Sequence, residues 1–186
     1  MYFDSPGPEN TGETVKIAVR EAIGRQIPCI VVASNTGATA MALAKESRAC
    51  NYGGQLICVT HVYGFKENGK NEFSDEDRAA FEKQGVRFCT AAHVLSGAER
   101  AMSNKFQGVY PVEIIAHTLR MMGQGTKVCV EIAVMALDAG LIPYGKHVIA
   151  LGGTGRGADT AVILTPGYTS SVLDTKIHEI LCKPRL

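Results

Sequence analysis

The stretch Val148-Ile149-Ala150-Leu151-Gly152-Gly153-Thr154-Gly155-Arg156-Gly157-Ala158-Asp159-Thr160-Ala161-Val162-Ile163-Leu164 decides the fold. An apolar run of strand length enters a glycine-marked loop, and a second apolar, β-branched run leaves it. A dinucleotide fingerprint needs a helix directly after its glycines and an acidic residue roughly 20 positions on. Ala158–Leu164 reads as β instead, so that motif is rejected. A Walker A loop is rejected too, because no Gly-Lys-Ser/Thr occurs. What remains is a strand–loop–strand unit whose backbone N–H groups suit an anion, with Arg156 placed to fork onto a phosphate. The competing reading is a glycine-rich hairpin carrying a solvated arginine.

A second loop of the same kind lies far upstream. Cys29–Ala33 is a buried strand that runs into Ser34-Asn35-Thr36-Gly37-Ala38-Thr39, and a helix over Thr36–Ala49 follows with Ala40, Leu43 and Ala44 as its inner stripe. Such a turn points helix N-terminal N–H groups outward, where they carry the positive end of the helix dipole. Ser34, Asn35, Thr36 and Thr39 add hydroxyl and amide groups. An ordinary capped strand–helix connection is the competing reading here. If the two strands are neighbours, the two loops face each other at one end of a sheet.

The remaining pattern builds that sheet. Residues 1–9 read as an irregular arm. Asn10 or Thr11 caps a first helix, with Glu13 placed for a capping box on Asn10 and Val15, Ala18, Val19, Ala22 and Ile23 on one face. Gln55–Thr60 is a second strand, 61–72 a polar loop or lid, and Ser74 caps a charged helix ended by Gly85. Val86–Cys89 is a third strand. The order α-β-α-β-α-β implies parallel strands with right-handed crossovers. Residues 90–124 form a helical embellishment, with Pro111 at a helix start. An apolar helix opens at Thr126 or Lys127 and runs to 139. His147–Leu151 and Thr160–Leu164 are the fourth and fifth strands, and Ile177–Cys182 is a last strand or helix. The expected fold class is therefore α/β: three-layer α/β/α, one domain over 1–186, with a mostly parallel sheet of five or six strands.

Composition narrows the function classes. The net charge of +1 provides no electrostatic footprint for nucleic acid or an acidic membrane surface. No apolar run approaches the roughly 18 residues of a membrane span, and the start of the chain is too polar and proline-rich for a signal peptide. The six cysteines form no CxxC pair and sit mostly in apolar runs, which suits buried thiols in a reducing compartment. The expectation is a cytoplasmic protein without a metal site.

The two loops, in this order and on these strands, resemble the C-terminal domain of pyruvate kinase, where a Thr-Thr-Thr-Gly-type loop grips an allosteric sugar phosphate and a glycine-rich loop closes over it. A closer resemblance is to a family of stand-alone proteins with that α/β-domain fold and no assigned activity. It is carried by Val31-Val32-Ala33-Ser34, His93-Val94-Leu95-Ser96-Gly97-Ala98-Glu99-Arg100, Lys127-Val128-Cys129-Val130-Glu131-Ile132 and Arg156-Gly157-Ala158-Asp159-Thr160-Ala161-Val162. That resemblance implies bound flavin mononucleotide (FMN) and a strand order of 3-2-1-4-5, with ligand at the switch point where the order reverses. Pyruvate kinase chemistry resides in a (β/α)₈ barrel of roughly 200 residues or more. A chain of 186 residues cannot hold both a barrel and the domain read here, so that activity is not expected of it.

The candidate binding residues are Ser34, Asn35, Thr36, Gly37, Ala38 and Thr39 on the first loop and Gly152, Gly153, Thr154, Arg156, Gly157, Ala158, Asp159 and Thr160 on the second. Thr60 and His61 join them after the second strand, as do His93, Ser96 and Gly97, with Ser96 a cap for a short helix. Glu131 is the odd carboxylate in an apolar helix. It must be hydrogen-bonded, paired or protonated. The plain expectation is that it accepts N–H groups of the glycine loop, and the sharper one is a proton-transfer group beside a flavin. Lys127 is expected to be solvated, with pairing to the phosphate as the alternative. The expected partner is a phosphorylated small molecule, FMN first. A sugar-phosphate or nucleotide sensor and a structural oligomerisation domain are the alternatives, and a homo-oligomer is a further expectation.

Overall fold

In the computed structural model, which describes residues 1–185, the apolar runs become strands of one sheet. The elements are β1 (Tyr2–Phe3), α1 (Thr11–Gly24), β2 (Cys29–Ala33), α2 (Ala38–Ala49), β3 (Gln55–Val59), α3 (Asp75–Glu82), β4 (Val86–Cys89), α4 (Gly97–Phe106), α5 (Pro111–Arg120), α6 (Gln124–Asp138), β5 (Val148–Gly152), β6 (Thr160–Thr165) and β7 (Lys176–Pro184). The sheet has seven strands in the order β1-β7-β6-β5-β2-β3-β4. β4, β3, β2 and β5 run parallel, β6 is antiparallel to both neighbours, and β1 pairs parallel to β7. The expected order of the first five strands holds, and Ile177–Cys182 resolves as strand.

Side-chain alternation on the central strands feeds two cores. Ile30, Val32, Cys58, Ile149 and Leu151 face α1, α2 and α3. Val31, Ile57, Val59, Val148 and Ala150 face α5 and α6. Strands buried on both faces read as continuous apolar runs, which explains why Cys29–Ala33 and Val148–Leu151 lack polar alternation. α6 is the central helix of its layer: all residues from Cys129 to Leu137 are buried. No helix among the described residues is long and apolar enough to cross a membrane.

Three expectations need correction. The segment 1–9 is not irregular: Tyr2 and Phe3 pair with Lys183 and Pro184, and a 3₁₀ turn spans Pro8–Asn10. The sheet is wider than five or six strands for that reason. A two-residue strand is too short to show periodicity, and Pro6 and Pro8 mask it further. The capping box also fails. Asn10 has helical backbone angles and its amide donates back to the Ser5 carbonyl at 2.8 Å, because the 3₁₀ turn runs straight into α1.

Candidate functional site

Each helix that returns between parallel strands runs antiparallel to them, so α1, α2 and α6 begin at the same edge of the sheet, the carboxyl ends of β2, β3 and β5. Their positive dipole ends accumulate there. α1 has Glu13 and α3 has Asp75, Glu76 and Asp77 in the first turn, whereas α2 and α6 have no acidic residue in theirs. α6 starts buried against β6, since a Cβ on Gly125 would lie 2.5 Å from Thr160 Cβ. α2 therefore presents the open, uncompensated helix start of this rim.

The chain is shaped to expose it. Gly37 is the N-cap at φ 95°, a conformation that favours glycine, and contributes no side-chain cap. Ser34 is buried; its N–H donates to the Val59 carbonyl at 3.0 Å and its hydroxyl accepts from the Ala40 N–H at 3.3 Å. Ser34 thus caps the helix from behind, leaving the N–H groups of Ala38 and Thr39 among the orphan donors of the helix start. Thr36 and Ala38 are exposed, Asn35 is half-buried and Thr39 is buried. The helix begins at Ala38, two residues later than expected, because Thr36 and Gly37 form the turn.

β5 neighbours β2, so the glycine loop leaves the adjacent strand at the same edge. Thr154 and Arg156 are exposed at its tip, and Gly153 and Gly157 are half-buried. Ala158, Asp159 and Thr160 are buried, as is Gly152. Asp159 organises the loop: its Oδ2 accepts the Thr154 N–H at 3.1 Å and the Gly7 N–H at 3.3 Å, and its Oδ1 accepts the Thr160 hydroxyl at 2.7 Å. Its own N–H returns to the Gly152 carbonyl at 3.0 Å. The surface offered to a ligand is therefore the Gly153–Gly157 backbone with Arg156.

The rest of the rim is built on β3 and β4. Thr60 is buried, with its hydroxyl 2.7 Å from that of Thr90. His61 is fixed by Glu72, Nδ1 to Oε2 at 2.5 Å, and Lys66 holds the other Glu72 oxygen at 2.8 Å, so the polar loop is clasped across its base. Burial pushes the Glu72 carboxyl up, but hydrogen bonds from Lys66 and His61 outweigh it and hold it below its ordinary value. His61 packs on Phe65 with ring centroids 3.8 Å apart and the planes tilted by 34°, and His93 lies 5.5 Å from His61 and 5.8 Å from Phe65. Ser96 is half-buried at the N-cap of α4 but makes no side-chain cap bond, and Gly97 is exposed.

Two expectations about α6 are overturned. Glu131 does not reach the glycine loop. Its Oε1 accepts the Leu95 N–H at 3.1 Å and its Oε2 pairs with Lys127 Nζ at 2.5 Å. Lys127 is not solvated but 5% exposed. A lysine and a glutamate four apart lie on one helix face, and here that face is turned inward. Burial pulls the Lys127 ammonium below its ordinary value while Glu131 pulls it back up.

His93 sits beside that pair. Burial lowers its pKa below the ordinary 6.5, against the opposing pull of Glu131; His61, Lys127 and Arg100 lower it further. An NMR titration of His93 is expected to show a midpoint below the ordinary histidine value. Between that midpoint and the ordinary value the unfolded chain binds a proton that the folded chain refuses. His93 therefore subtracts stability as pH falls through the window. A midpoint at or above the ordinary value would contradict its burial.

A surface depression lies elsewhere, at the amino ends of β3 and β4. It measures about 270 Å³, is lined by Ser47, Arg48, Tyr52, Gln55 and Gln84 among others, and contains none of the candidate residues.

The order of strands, the two loops at the switch point and the return helices agree with a match to the family model for the pyruvate kinase alpha/beta domain, which spans residues 13–164. The chain belongs to that family. Among solved structures it is similar to a pyruvate kinase from Cryptosporidium parvum at 16% identity and a TM-score of 0.40, covering 83% of this chain and 22% of that one. The Cryptosporidium parvum pyruvate kinase in complex with ADP is similar at 16% identity and a TM-score of 0.39, covering 95% of this chain and 24% of that one. The chain thus spans about a quarter of the length of these enzymes.

The family match runs from the first turn of α1 to the end of β6, so both rim loops lie inside the pyruvate kinase α/β domain, while β1 and β7 lie beyond it. Sequence reasoning missed Phe65, Glu72 and Lys66 as parts of the rim, and Gly7 and Thr11 as supports of the glycine loop. Only the polar, glycine-containing character of 61–72 pointed to the first group.

Proposed function

We propose that the rim between Ser34–Thr39 and Gly152–Thr160 binds a phosphorylated small molecule, with FMN the first ligand to test. The observation that supports this most is the start of α2: open at Thr36 and Ala38, without an acidic residue in its first turn, and beside the glycine loop at the switch point. The residues present suit a mononucleotide phosphate. The Ala38 and Thr39 N–H groups and the Thr36 hydroxyl would take it from one side. The Gly153–Gly157 backbone and Arg156 would take it from the other. His61, Phe65 and His93 form an aromatic group on the same rim that suits a planar ring system. FMN, when bound, supplies one- and two-electron transfer. The protein's own part is to hold the phosphate, orient the ring and keep His93 neutral beside it.

Titration of the purified protein with FMN, riboflavin and inorganic phosphate, followed by calorimetry and flavin fluorescence, tests the reading. FMN is expected to bind, and riboflavin, lacking the phosphate, to bind at least about tenfold more weakly. Thr36→Glu sets a carboxylate against the phosphate and is expected to weaken FMN by at least about tenfold, with Arg156→Ala costing a comparable factor. A protein that binds neither FMN nor inorganic phosphate sinks the proposal. A protein that ignores FMN but is stabilised by a sugar phosphate or nucleotide becomes a sensor module instead.

A further inference from the structure

We infer that the amino-terminal segment, residues 2–11, is a strap that positions the glycine loop, so that the rim's hold on a phosphate-bearing ligand is set from outside the family core. The inference rests on the reading of the rim above for its consequence, but its structural half stands alone. One carboxylate oxygen joins the two parts: Asp159 Oδ2 accepts the Thr154 N–H of the loop at 3.1 Å and the Gly7 N–H of the strap at 3.3 Å. Asp159 is fully buried, so neither bond is replaced by water without opening the loop.

Two further contacts complete the latch. Thr11 Oγ1, at the first turn of α1, accepts the Ala158 N–H at 3.0 Å. Gly157 presses against the strap so closely that a Cβ there would stand 2.5 Å from both Pro8 Cα and Thr11 Oγ1. Gly157 also holds φ 73° and Gly7 φ 145°, so glycine suits both sides of the contact. The strap is anchored at its far end by the sheet: Tyr2 and Phe3 pair with β7, the Arg185 N–H donates to the Phe3 carbonyl at 2.9 Å, and Phe3 is buried in the core under α1.

Residues 2–11 lie before the family match, which starts at 13, yet they supply a donor, an acceptor and a wall to the loop inside it. With the strap seated, the loop tip Gly153–Gly157 is held in one conformation and its N–H groups are organised before any ligand arrives. A loop that is ordered in advance loses less entropy on binding.

Thr11→Val removes the acceptor while keeping the shape, Thr11→Ser restores it, and Gly157→Ala forces the two surfaces apart. Amide hydrogen exchange of 153–159 is measured on the full chain without ligand, and calorimetry follows FMN and inorganic phosphate. Thr11→Val and Gly157→Ala are expected to speed exchange across 153–159 by at least about tenfold while exchange in β2 and β3 stays put, with Thr11→Ser near wild type. FMN affinity is expected to fall by a similar factor in the first two variants. Unchanged exchange in the loop overturns the strap. Faster exchange with FMN affinity equal to wild type overturns its link to the site. If the wild-type protein binds neither FMN nor phosphate, the reading of the rim fails, and loop exchange in the variants alone decides whether the strap positions the loop.

Discussion

Lys127→Met is expected to destabilise the protein by about 3–5 kcal/mol, because it strands a buried carboxylate. Lys127 and Glu131 are each 5% exposed and pair at 2.5 Å on a helix whose other residues from Cys129 to Leu137 are buried and apolar. With the ammonium gone, Glu131 keeps only the Leu95 N–H at 3.1 Å. Glu131→Leu errs the other way: it buries an unpaired ammonium and orphans the Leu95 N–H. The double variant Lys127→Met/Glu131→Leu removes both charges and is expected to recover most of the loss, since well-packed apolar residues often replace a buried pair at no net cost. The orphaned Leu95 N–H keeps it about 1–3 kcal/mol below wild type. Urea denaturation of the four proteins gives the coupling energy directly. Single variants within about 1 kcal/mol of wild type, the range of a surface pair, would contradict the burial described. The pair also fixes the segment that carries His93, two residues before Leu95. In the single variants the His93 titration midpoint is expected to move even where the fold survives.

The Lys127–Glu131 pair also shows where reading the chain alone succeeds and fails. A carboxylate among Cys129, Val130, Ile132 and Val134 is visibly out of place, so its burial and need for a partner were legible. Its partner was not. Lysine beside the first turn of a helix is ordinarily solvated, and here α5 packs on α6 and the segment carrying Leu95 closes on Glu131, contacts between distant parts of the chain. The same contrast separates β2 and β5, legible as unbroken apolar runs between turn residues, from β1, which exists only because β7 offers an edge and Phe3 finds the core.

The rim follows this rule as well. Gly37 and Gly153–Gly157 were legible as open backbone because glycine at those points has a local cause. Asp159 stood in the same motif and looked like another ligand-facing group. Its actual work, tying Thr154 to Gly7, crosses 152 residues of sequence and no local pattern encodes it. The clasp of His61, Glu72 and Lys66 was hidden for a different reason: residues 61–72 have no period, so side-chain direction cannot be derived from spacing.

Gly125→Val is expected to be the second most damaging substitution, at about 2–4 kcal/mol, and its origin is overlap with buried side chains rather than lost polarity. A Cβ on Gly125 would stand 2.5 Å from Thr160 Cβ and 2.9 Å from Asp159 Oδ1, and would overlap Thr160 Oγ1 outright. None of these atoms can yield. Thr160 is 1% exposed and its hydroxyl is held by Asp159 Oδ1 at 2.7 Å, while Asp159 in turn holds the glycine loop. The neighbouring surface is equally tight, since a Cβ on Gly152 would stand 2.6 Å from the Gly125 carbonyl. The start of α6 and the end of β5 therefore meet at backbone distance, and a side chain on Gly125 must push α6 away from the start of β6. Helix propensity argues the opposite way, as replacing a helical glycine by alanine gains about 1 kcal/mol where space permits. Gly12→Ala in α1 supplies that control, because nothing lies within 4 Å of its Cβ. Thermal and urea unfolding should find Gly12→Ala equal to or above wild type, Gly125→Ala below it and Gly125→Val lowest. Because the displaced atoms are Thr160 and Asp159, Gly125→Ala should also speed amide exchange at 153–159. A Gly125→Ala protein as stable as wild type would mean that α6 does not seat against β6 in this way, and the rim would lose the wall on which its glycine loop rests.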